Sequence, residues 1–153
     1  MQARSNALKI SANAAYGMFG FFGARWYSKE CAAAITSYGR YYIQDVISKA
    51  DKEKFNVIYS DTDSVVLELG KKTRDDALEF MERINMDLPS LMELELEDFY
   101  KKGLFVMKKS ESSGAKKKYA LLAEDNSMKI RGFETVRRDW SYLAKKTQMR
   151  ILE

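Results

Sequence analysis

The sequence predicts an α+β fold, in which long helical segments precede a group of short antiparallel strands. Apolar residues recur at helical spacing in the first half of the chain, whereas short segments of the second half alternate apolar and polar residues. A chain of 153 residues with 46% hydrophobic content is long enough to bury one ordinary core. The single proline and the absence of a linker or an internal repeat give no indication of two independent domains.

Three helices are predicted in the first 90 residues. The first covers residues 2–19 and ends in a glycine-rich aromatic stretch, GMFGFFGARWY. The second covers residues 29–52. The third is the acidic amphipathic segment TRDDALEFMERINMDL, in which Asp75 and Asp76 occupy a first turn that favours negative charge.

The remaining segments predict a small antiparallel sheet followed by a helix. Alternating stretches at ELELEDF, GLFVMKK, KKYALLA and MKIRGFETV are typical of strands, with SESSGA and EDNS as loops. From Arg138 the sequence RDWSYLAKKTQMRILE predicts a last helix, whose apolar face carries Trp140, Leu143 and Leu152.

Composition excludes several classes of chemistry. The chain has no histidine and only one cysteine, which excludes the usual zinc sites, histidine general bases and an internal disulfide framework. Any reaction must therefore use carboxylates, lysines, arginines, tyrosines or a metal. No apolar run is long enough to cross a bilayer and the N-terminus lacks the apolar core of a signal peptide, so we expect a soluble cytoplasmic protein without a membrane partner.

Charge is unevenly distributed along the chain. The net balance is +4 for residues 1–74, −8 for residues 75–99 and +8 for residues 100–153. A basic C-terminal third that also contains Tyr119, Trp140 and Tyr142 suits a polyanion, because lysines and arginines replace the counterions of a phosphate backbone. An ordinary solvated face is the alternative interpretation.

The stretch NVIYSDTDSVVLEL places Asp61 and Asp63 within an apolar, β-branched run. The two acids lie either on one face of a strand or at the tip of a hairpin, and either geometry brings them together at a strand end. A divalent cation that prefers oxygen ligands would neutralise the pair, while a solvated hairpin turn is the alternative. An EF-hand loop is excluded by the apolar residues that follow, and no Gly-rich phosphate loop is present.

Three further groups of residues could bind phosphate. Lys9, Asn13 and Tyr16 share one helix face, where they could hold a triphosphate and pack on a base or sugar, or form an ordinary amphipathic surface. The run KKKYA offers cations for phosphate or groove-edge contacts, although lysine runs are common. The segment RRDW could fix phosphates with two guanidinium groups, or it could form a local Arg-Asp ion pair.

The segments LKISANAAYGMFG, YSDTDS, KKKYA and GFETVRRDW, in this order, closely resemble family B DNA polymerases, particularly archaeal replicative ones. The resemblance rests on a K-x-x-x-N-S-x-Y-G fingers motif, a Y-x-D-T-D palm motif and a K-K-[RK]-Y motif. Ala14 departs from the usual serine of the first motif. The matching positions are Lys9, Asn13, Tyr16 and Gly17; Tyr59, Asp61, Thr62 and Asp63; and Lys117, Lys118 and Tyr119.

This resemblance implies a palm-type antiparallel sheet with packed helices. Residues 1–20 would be the second fingers helix, residues 21–137 the palm and residues 138–153 the truncated start of the thumb. The implied reaction is transfer of a nucleotide from a dNTP to a primer 3′-hydroxyl with two Mg²⁺ ions. Asp63 would be the firm metal ligand, and Asp61 would lie beside the primer terminus or assist the metals.

The resemblance also implies the remaining binding roles. Lys9 would contact the triphosphate, Asn13 would orient that contact, and Tyr16 with Gly17 would floor the pocket of the nascent base pair. Primer-template DNA would lie against the basic residues of the C-terminal third. Tyr59 and Thr62 complete the nucleotide-binding set, and the DNA-binding set is Lys116, Lys117, Lys118, Tyr119, Arg137 and Arg138.

One expected motif has no counterpart in this sequence. The family carries another metal-binding aspartate in an upstream D-x-x-S-L-Y-P-S motif, and MDLPSLM, which follows the palm motif, is interpreted as structural. We therefore expect a chain that is inactive alone, either the small subunit of a split polymerase or an excised palm piece. A break just before the fingers helix at Met1 is consistent with this expectation.

Several partners and alternatives follow from the missing motif. A larger subunit would carry the N-terminal domain, the 3′-5′ exonuclease and the remaining palm motifs, and a sliding clamp is a further candidate partner. The competing interpretation is a non-catalytic module that binds nucleic acid or serves in assembly. An RNA-directed enzyme with a similar palm is disfavoured by the Lys-Asn-Tyr-Gly and KKKY residues.

Overall fold

The computed structural model describes residues 2–90, 92–107 and 114–152, with the side chains of residues 2, 3, 5, 107 and 114–116 left out. Within these ranges the chain forms four α-helices, one short 3-10 helix and two antiparallel sheets, which confirms the predicted α+β class. It divides into two compact units, Met1–Phe80 and Met81–Glu153. None of the helices in the described ranges has both the length and the apolar character that a bilayer crossing requires.

The first unit begins with the two predicted helices, α1 (Gln2–Gly20) and α2 (Lys29–Lys52). Ser28 caps α2, because its hydroxyl oxygen accepts a hydrogen bond of 3.2 Å from the Cys31 backbone N–H. Both predicted ranges are confirmed. Among the described side chains of α1, Phe19 is half-buried and all others are exposed.

The DTDS segment forms a hairpin rather than the middle of one strand. Strand β1 (Asn56–Asp61) pairs antiparallel with β2 (Ser64–Glu68), so that Thr62 and Asp63 form the two-residue connection. The register shifts between Val57 and Tyr59. Of the two geometries that the sequence allowed, the structure therefore adopts the hairpin.

A small apolar core fixes the base of this hairpin. Val46 and Ala50 of α2 are buried together with Phe55 and Phe80, and the two phenylalanine ring centroids are 5.0 Å apart. The Phe55 backbone N–H donates to the Ala50 carbonyl at 2.9 Å. Because Phe55 is anchored at the end of α2, the next residue, Asn56, begins β1 at a fixed place.

Helix α3 (Arg74–Asp87) begins with a reciprocal cap that the sequence only partly indicated. The Thr73 hydroxyl accepts from the Asp76 N–H at 3.2 Å, and the Asp76 carboxylate accepts from the Thr73 N–H at 2.7 Å and from its hydroxyl at 2.9 Å. This arrangement is a capping box. The predicted helix is confirmed, and one of its first-turn acids has a specific partner.

The prediction of a strand at ELELEDF is wrong. Residues 92–99 contain no strand, and β3 begins at Tyr100. The Asn85 side chain of α3 forms hydrogen bonds with both backbone polar groups of Leu94. It donates to the Leu94 carbonyl at 3.0 Å and accepts from the Leu94 N–H at 2.7 Å. A residue bonded in this way to a helix side chain is not available to a strand ladder, and the four acids of the segment add like-charge repulsion.

The second unit contains the predicted small sheet, in the order β3 (Tyr100–Met107), β4 (Gly114–Ala123), β5 (Met128–Arg131), with both pairings antiparallel. Residues 124–127, the predicted EDNS loop, connect β4 to β5. Of the predicted SESSGA loop, residues 110–113 lie outside the described residues, and the last two belong to β4.

A cluster of apolar side chains forms the core of the second unit, and the last helix packs against it. Ala120, Ile130 and Phe133 are buried, and Leu152 of α4 (Tyr142–Leu152) packs against them, together with Val106 and Met128. A short 3-10 helix, Glu134–Val136, lies between β5 and α4.

The start of α4 corrects the sequence prediction. The helix begins four residues after Arg138, since the Ser141 hydroxyl oxygen accepts from the Ala144 N–H at 3.3 Å and caps it. Trp140 therefore precedes the helix instead of lying on its apolar face. Leu152 is packed as an apolar-face residue should be, whereas Leu143 is exposed.

Candidate active-site and nucleic-acid-binding residues

The hairpin tip, defined as residues 61–64, makes an unusually tight reversal. The Asp63 backbone N–H donates to the Asp61 carbonyl at 2.7 Å, and the residue between them, Thr62, has a φ of +57°. A hydrogen bond across a single residue of positive φ has the form of a rare and strained γ-turn. Strain of this kind concentrates at functional sites, and here it brings two aspartates to the same end of the hairpin.

Two hydroxyl groups organise Asp61. The Thr62 hydroxyl donates to the Asp61 carboxylate at 3.1 Å, and the Ser64 hydroxyl donates to the Asp61 backbone carbonyl at 3.1 Å. Asp61 is half-buried, whereas Asp63 is exposed. The Asp63 carboxylate forms no hydrogen bond or ion pair with any residue that the structure describes. Asp63 is thus the acid of the pair that is open to an external ligand.

The predicted stripe on α1 is present as a single exposed face. Lys9, Asn13 and Tyr16 follow at intervals of four and three residues on a continuous helix, so their side chains lie in one row. An added Cβ at Gly17 would meet no atom within 4 Å, so the surface beside the stripe is open. In the described ranges no hydrogen bond or ion pair joins these side chains to the hairpin tip or to any other residue.

The residues of the lysine run on β4 differ in exposure, backbone conformation and side-chain partners. Lys117 is exposed and has a φ of +61°, and an added Cβ at Gly132 would lie 1.8 Å from its carbonyl oxygen. The next residue, Lys118, is half-buried, and its Nζ lies 2.7 Å from Glu134 Oε1. The ring of Tyr119 lies 5.8 Å from that of Phe105 on β3. Lys116 lies in β4, but its side chain is outside the described part of the chain.

Glu134 and Gln148 were missed by the sequence analysis. Glu134 accepts hydrogen bonds from Lys118 with one carboxylate oxygen and from Gln148 with the other. These two bonds lower the Glu134 pKa from 4.5 to about 2. Lys118 and Glu134 are 16 residues apart and Gln148 is 14 residues further, so no short sequence spacing could reveal the group.

The RRDW segment forms the local ion pair that was the alternative to phosphate binding. The Arg137 guanidinium donates two hydrogen bonds to the Asp139 carboxylate, at 2.8 and 3.1 Å. The pair raises the pKa of Arg137 and lowers the pKa of Asp139. Arg138 is exposed and has no hydrogen-bond or ion-pair partner among the described residues.

The candidate residues therefore form separate groups. The α1 stripe and the hairpin tip belong to the first unit, while the lysine run and the two arginines belong to the second. Tyr59 is half-buried in β1, two residues before Asp61. Lys118 and Arg137 each have an acidic partner, Glu134 and Asp139, and the binding roles of all these residues stay predictions.

Comparison with known proteins identifies the family of this chain. The sequence model of DNA polymerase family B matches residues 1–153. The chain belongs to DNA polymerase family B. The resemblance stated above from four short segments is thus confirmed over the full length of the sequence.

The similar proteins are archaeal family B polymerases of much greater length. The chain is 44% identical over 155 residues to the DNA polymerase of Thermococcus gorgonarius, covering 98% of this chain and 19% of that protein. It is 45% identical over 154 residues to DNA polymerase 1 of Pyrococcus abyssi (strain GE5 / Orsay), with the same two shares. Identity to the DNA polymerase of Thermococcus kodakarensis is 45% over 146 residues, which is 8% of that protein. The chain therefore spans about a fifth or less of the relatives that it matches.

The donor set of the hairpin tip can be compared with the divalent metal that family B polymerases use. Asp61 and Asp63 offer carboxylate oxygens, the ligands that Mg²⁺ prefers. In the described ranges no three Asp, Glu, His or Cys side chains are grouped closely enough to hold a metal ion. Mg²⁺ is commonly held by one or two carboxylates together with substrate phosphates and water. The two aspartates fit that mode of binding and do not form an all-protein cage.

Proposed function

We propose that this chain supplies part of the active site of a DNA polymerase that joins a dNTP to a primer 3′-hydroxyl. The observation that carries the proposal is the hairpin tip, where a strained reversal presents an exposed Asp63 carboxylate, without a partner among the described residues, beside Asp61. Membership of DNA polymerase family B over residues 1–153 supports the same reaction.

In this proposal the two aspartates have unequal roles. Asp63 would hold Mg²⁺ through its exposed carboxylate. Asp61 would assist metal binding from a position that hydrogen bonds from the Thr62 and Ser64 hydroxyl groups stabilise. When bound, two Mg²⁺ ions supply activation of the attacking hydroxyl and stabilisation of the pyrophosphate leaving group. Because the Asp61 carboxylate already accepts a hydrogen bond from the Thr62 hydroxyl, it is oriented before substrate arrives.

The stripe on α1 would bind the incoming nucleotide. The Lys9 ammonium pairs with the triphosphate and neutralises charge that develops on it. Asn13, one helical turn further, orients that contact through its amide. Tyr16 and Gly17 form the floor of the base-pair pocket, for which the open surface at Gly17 leaves room.

Residues of the second unit would hold the primer-template duplex. Lys117 and Arg138 are exposed cations that can pair with phosphates, and such contacts position DNA without reading its sequence. Tyr119 sits on the central strand beside Phe105, at a fixed place next to the lysines. Lys116 and Arg137 complete the proposed phosphate-binding set, with Arg137 released from Asp139 when DNA binds.

The proposal requires parts of a polymerase that this sequence does not contain. Two carboxylates at the hairpin tip do not complete a two-metal site, so we infer that either a larger subunit or the remainder of a longer chain supplies another aspartate and the rest of the polymerase. The relatives, of which this chain matches 19% or 8%, are long enough to carry those parts. The isolated chain should therefore not extend a primer.

Primer extension in trans tests the proposal. The chain is assayed alone, and then with a polypeptide that covers the remainder of a family B polymerase and carries the upstream D-x-x-S-L-Y-P-S motif. We expect extension only in the mixture, and none when Asp63 is replaced by alanine. Asp51→Asn, which removes an exposed acid of α2 in the same unit, is the matched control and should retain activity. Extension by the chain alone, or by the Asp63→Ala mixture, would contradict the proposal.

A non-catalytic role is the second candidate, and the charge pattern favours it. Residues 100–153 carry a net charge of +8, which suffices for sequence-independent binding of nucleic acid without any reaction. In the same assay, a mixture in which Asp63→Ala leaves extension unchanged would show that the chain acts as a binding or assembly module.

A further inference from the structure

The lysine run of β4 lies where alternate side chains must point to opposite faces of the sheet. Tyr119 faces Phe105, whereas Lys118 and Ala120, two residues apart, share the other face. Ala120 is part of the buried core cluster. Lys118 and Tyr119 therefore cannot both lie on one DNA-facing surface of this strand.

Lys118 is occupied on the core side by two partners. Its Nζ lies 2.7 Å from Glu134 Oε1 and 5.1 Å from the centroid of the buried Phe133 ring. The exposed fractions of the Lys118 and Glu134 side chains are 30% and 18%, so solvent screens this pair less than an ordinary surface pair. A lysine held in this way is not a free phosphate ligand.

The contact continues from Glu134 to the last helix. The second carboxylate oxygen of Glu134 accepts from the Gln148 amide, and the Gln148 amide oxygen accepts from the Thr135 N–H at 2.9 Å. Gln148 and Leu152 are four residues apart and so share a face of α4, and Leu152 packs on the core cluster. One face of α4 is thus held by a polar contact at Gln148 and an apolar contact one turn later.

We propose that Lys118 is a positioning residue, which acts through Glu134 and Gln148 to hold α4 against the three-stranded sheet and does not itself bind a DNA phosphate. The inference rests on the proposed function only in its second part, the division of roles within the lysine run. In this division of roles the exposed Lys117 contributes a phosphate contact, whereas Lys118 holds α4 in place.

Hydrogen–deuterium exchange of the α4 amides in the full chain tests the first part. We expect Lys118→Gln to raise exchange in residues 144–152 by about tenfold, as for loss of a charge-assisted hydrogen bond. Lys118→Arg keeps the charge and a donor and should restore most of the protection. If Lys118→Gln does not fold, Glu134→Gln gives the same readout from the other partner. Unchanged exchange in either variant would overturn the proposal.

The matched control is Thr135→Val. The Thr135 hydroxyl oxygen is buried without a hydrogen-bond partner in the described part of the chain, whereas its backbone N–H is the group that binds Gln148. The substitution removes the unsatisfied hydroxyl and keeps the N–H, so α4 should remain protected. A rise in exchange as large as that of Lys118→Gln would show that any change at this junction loosens the helix, which would overturn the specific role of Lys118.

The salt dependence of DNA binding by the completed polymerase tests the second part. Loss of one phosphate contact lowers the slope of log K against log salt by about 0.9. We expect this reduction for Lys117→Gln and an unchanged slope for Lys118→Gln. A slope reduced by Lys118→Gln would overturn the proposal. If the mixture binds no DNA while the exchange results stand, the proposed function fails and the positioning role of Lys118 is retained.

Discussion

Two acidic residues show how differently the same chemical group is used in the two units of this chain. Asp63 at the hairpin tip is exposed, and its carboxylate has no partner in the described residues. Glu134 in the second unit is half-buried, and both of its carboxylate oxygens accept hydrogen bonds. The first acid is open to a ligand from outside, whereas the second already has its ligands within the fold. A charged residue in the sequence thus indicates a candidate site. Its partners in the fold then indicate whether it binds a ligand or stabilises the structure.

The sharpest test replaces each acid with its amide. Asp63→Asn should lower primer extension by the completed polymerase on the order of a thousandfold, because a metal ligand stabilises transition-state charge by several kcal/mol. It should leave the urea-unfolding midpoint unchanged, since the carboxylate has no hydrogen-bond or ion-pair partner in the part of the chain that the structure describes. Glu134→Gln should lower that midpoint and cause a much smaller loss of activity. If both substitutions lowered activity and stability equally, the contrast between the two acids would be wrong.

A pair of glycines extends the comparison to the backbone. Gly132 has a φ of +69°, and an added Cβ would lie 1.8 Å from the Lys117 carbonyl oxygen, so Gly132→Ala should cost about 3 kcal/mol or more. Gly70 has a φ of +58° but open space around it, so Gly70→Ala should cost about 1 kcal/mol. The free energy of unfolding from urea titrations measures both. Equal costs would show that positive φ alone matters and that the close approach to Lys117 does not.

The depressed Glu134 pKa predicts how stability depends on pH. The folded pKa is about 2 and the ordinary value is 4.5, so the stability from the ionised group is present above about pH 4.5 and is lost as the pH falls towards 2. The difference in unfolding midpoint between the native chain and Glu134→Gln should therefore shrink across this window. Other carboxylates titrate in both proteins and cancel in the difference. A difference that stayed constant from pH 6 to pH 2 would show that Glu134 is not held by Lys118 and Gln148.

Much of the fold could be predicted from the sequence because local signals agreed with the final structure. The range of α2 was predicted from the helical pattern of residues 29–52, which agrees with the observed helix Lys29–Lys52. The prediction of a strand at residues 93–99 was wrong, although the alternation of leucine and glutamate in this segment is typical of a strand. Asn85, eight or more residues earlier, bonds the backbone of Leu94 instead, and that contact depends on the tertiary fold.

The candidate site was predictable to the same extent. Asp61 and Asp63 could be found because both lie within one short hairpin, and the family motif marks them. The strained γ-turn at Thr62 could not be predicted, since threonine has no preference for positive φ. The partners of Lys118 were missed because Glu134 and Gln148 reach it only after the sheet and α4 have formed.

The smallest effect is expected at Arg137, which has both a partner and wide exposure. Its pair with Asp139 leaves the two side chains 55% and 60% exposed, and pairs of this kind contribute little to stability. Arg137→Gln should therefore leave the unfolding midpoint unchanged, unlike Glu134→Gln. In the completed polymerase, Asp139→Asn should raise DNA affinity modestly, because it releases the guanidinium for a phosphate without adding a new cation. If Asp139→Asn leaves DNA affinity unchanged while Arg137→Gln does too, the pair is only a local surface contact and Arg137 leaves the DNA-binding set.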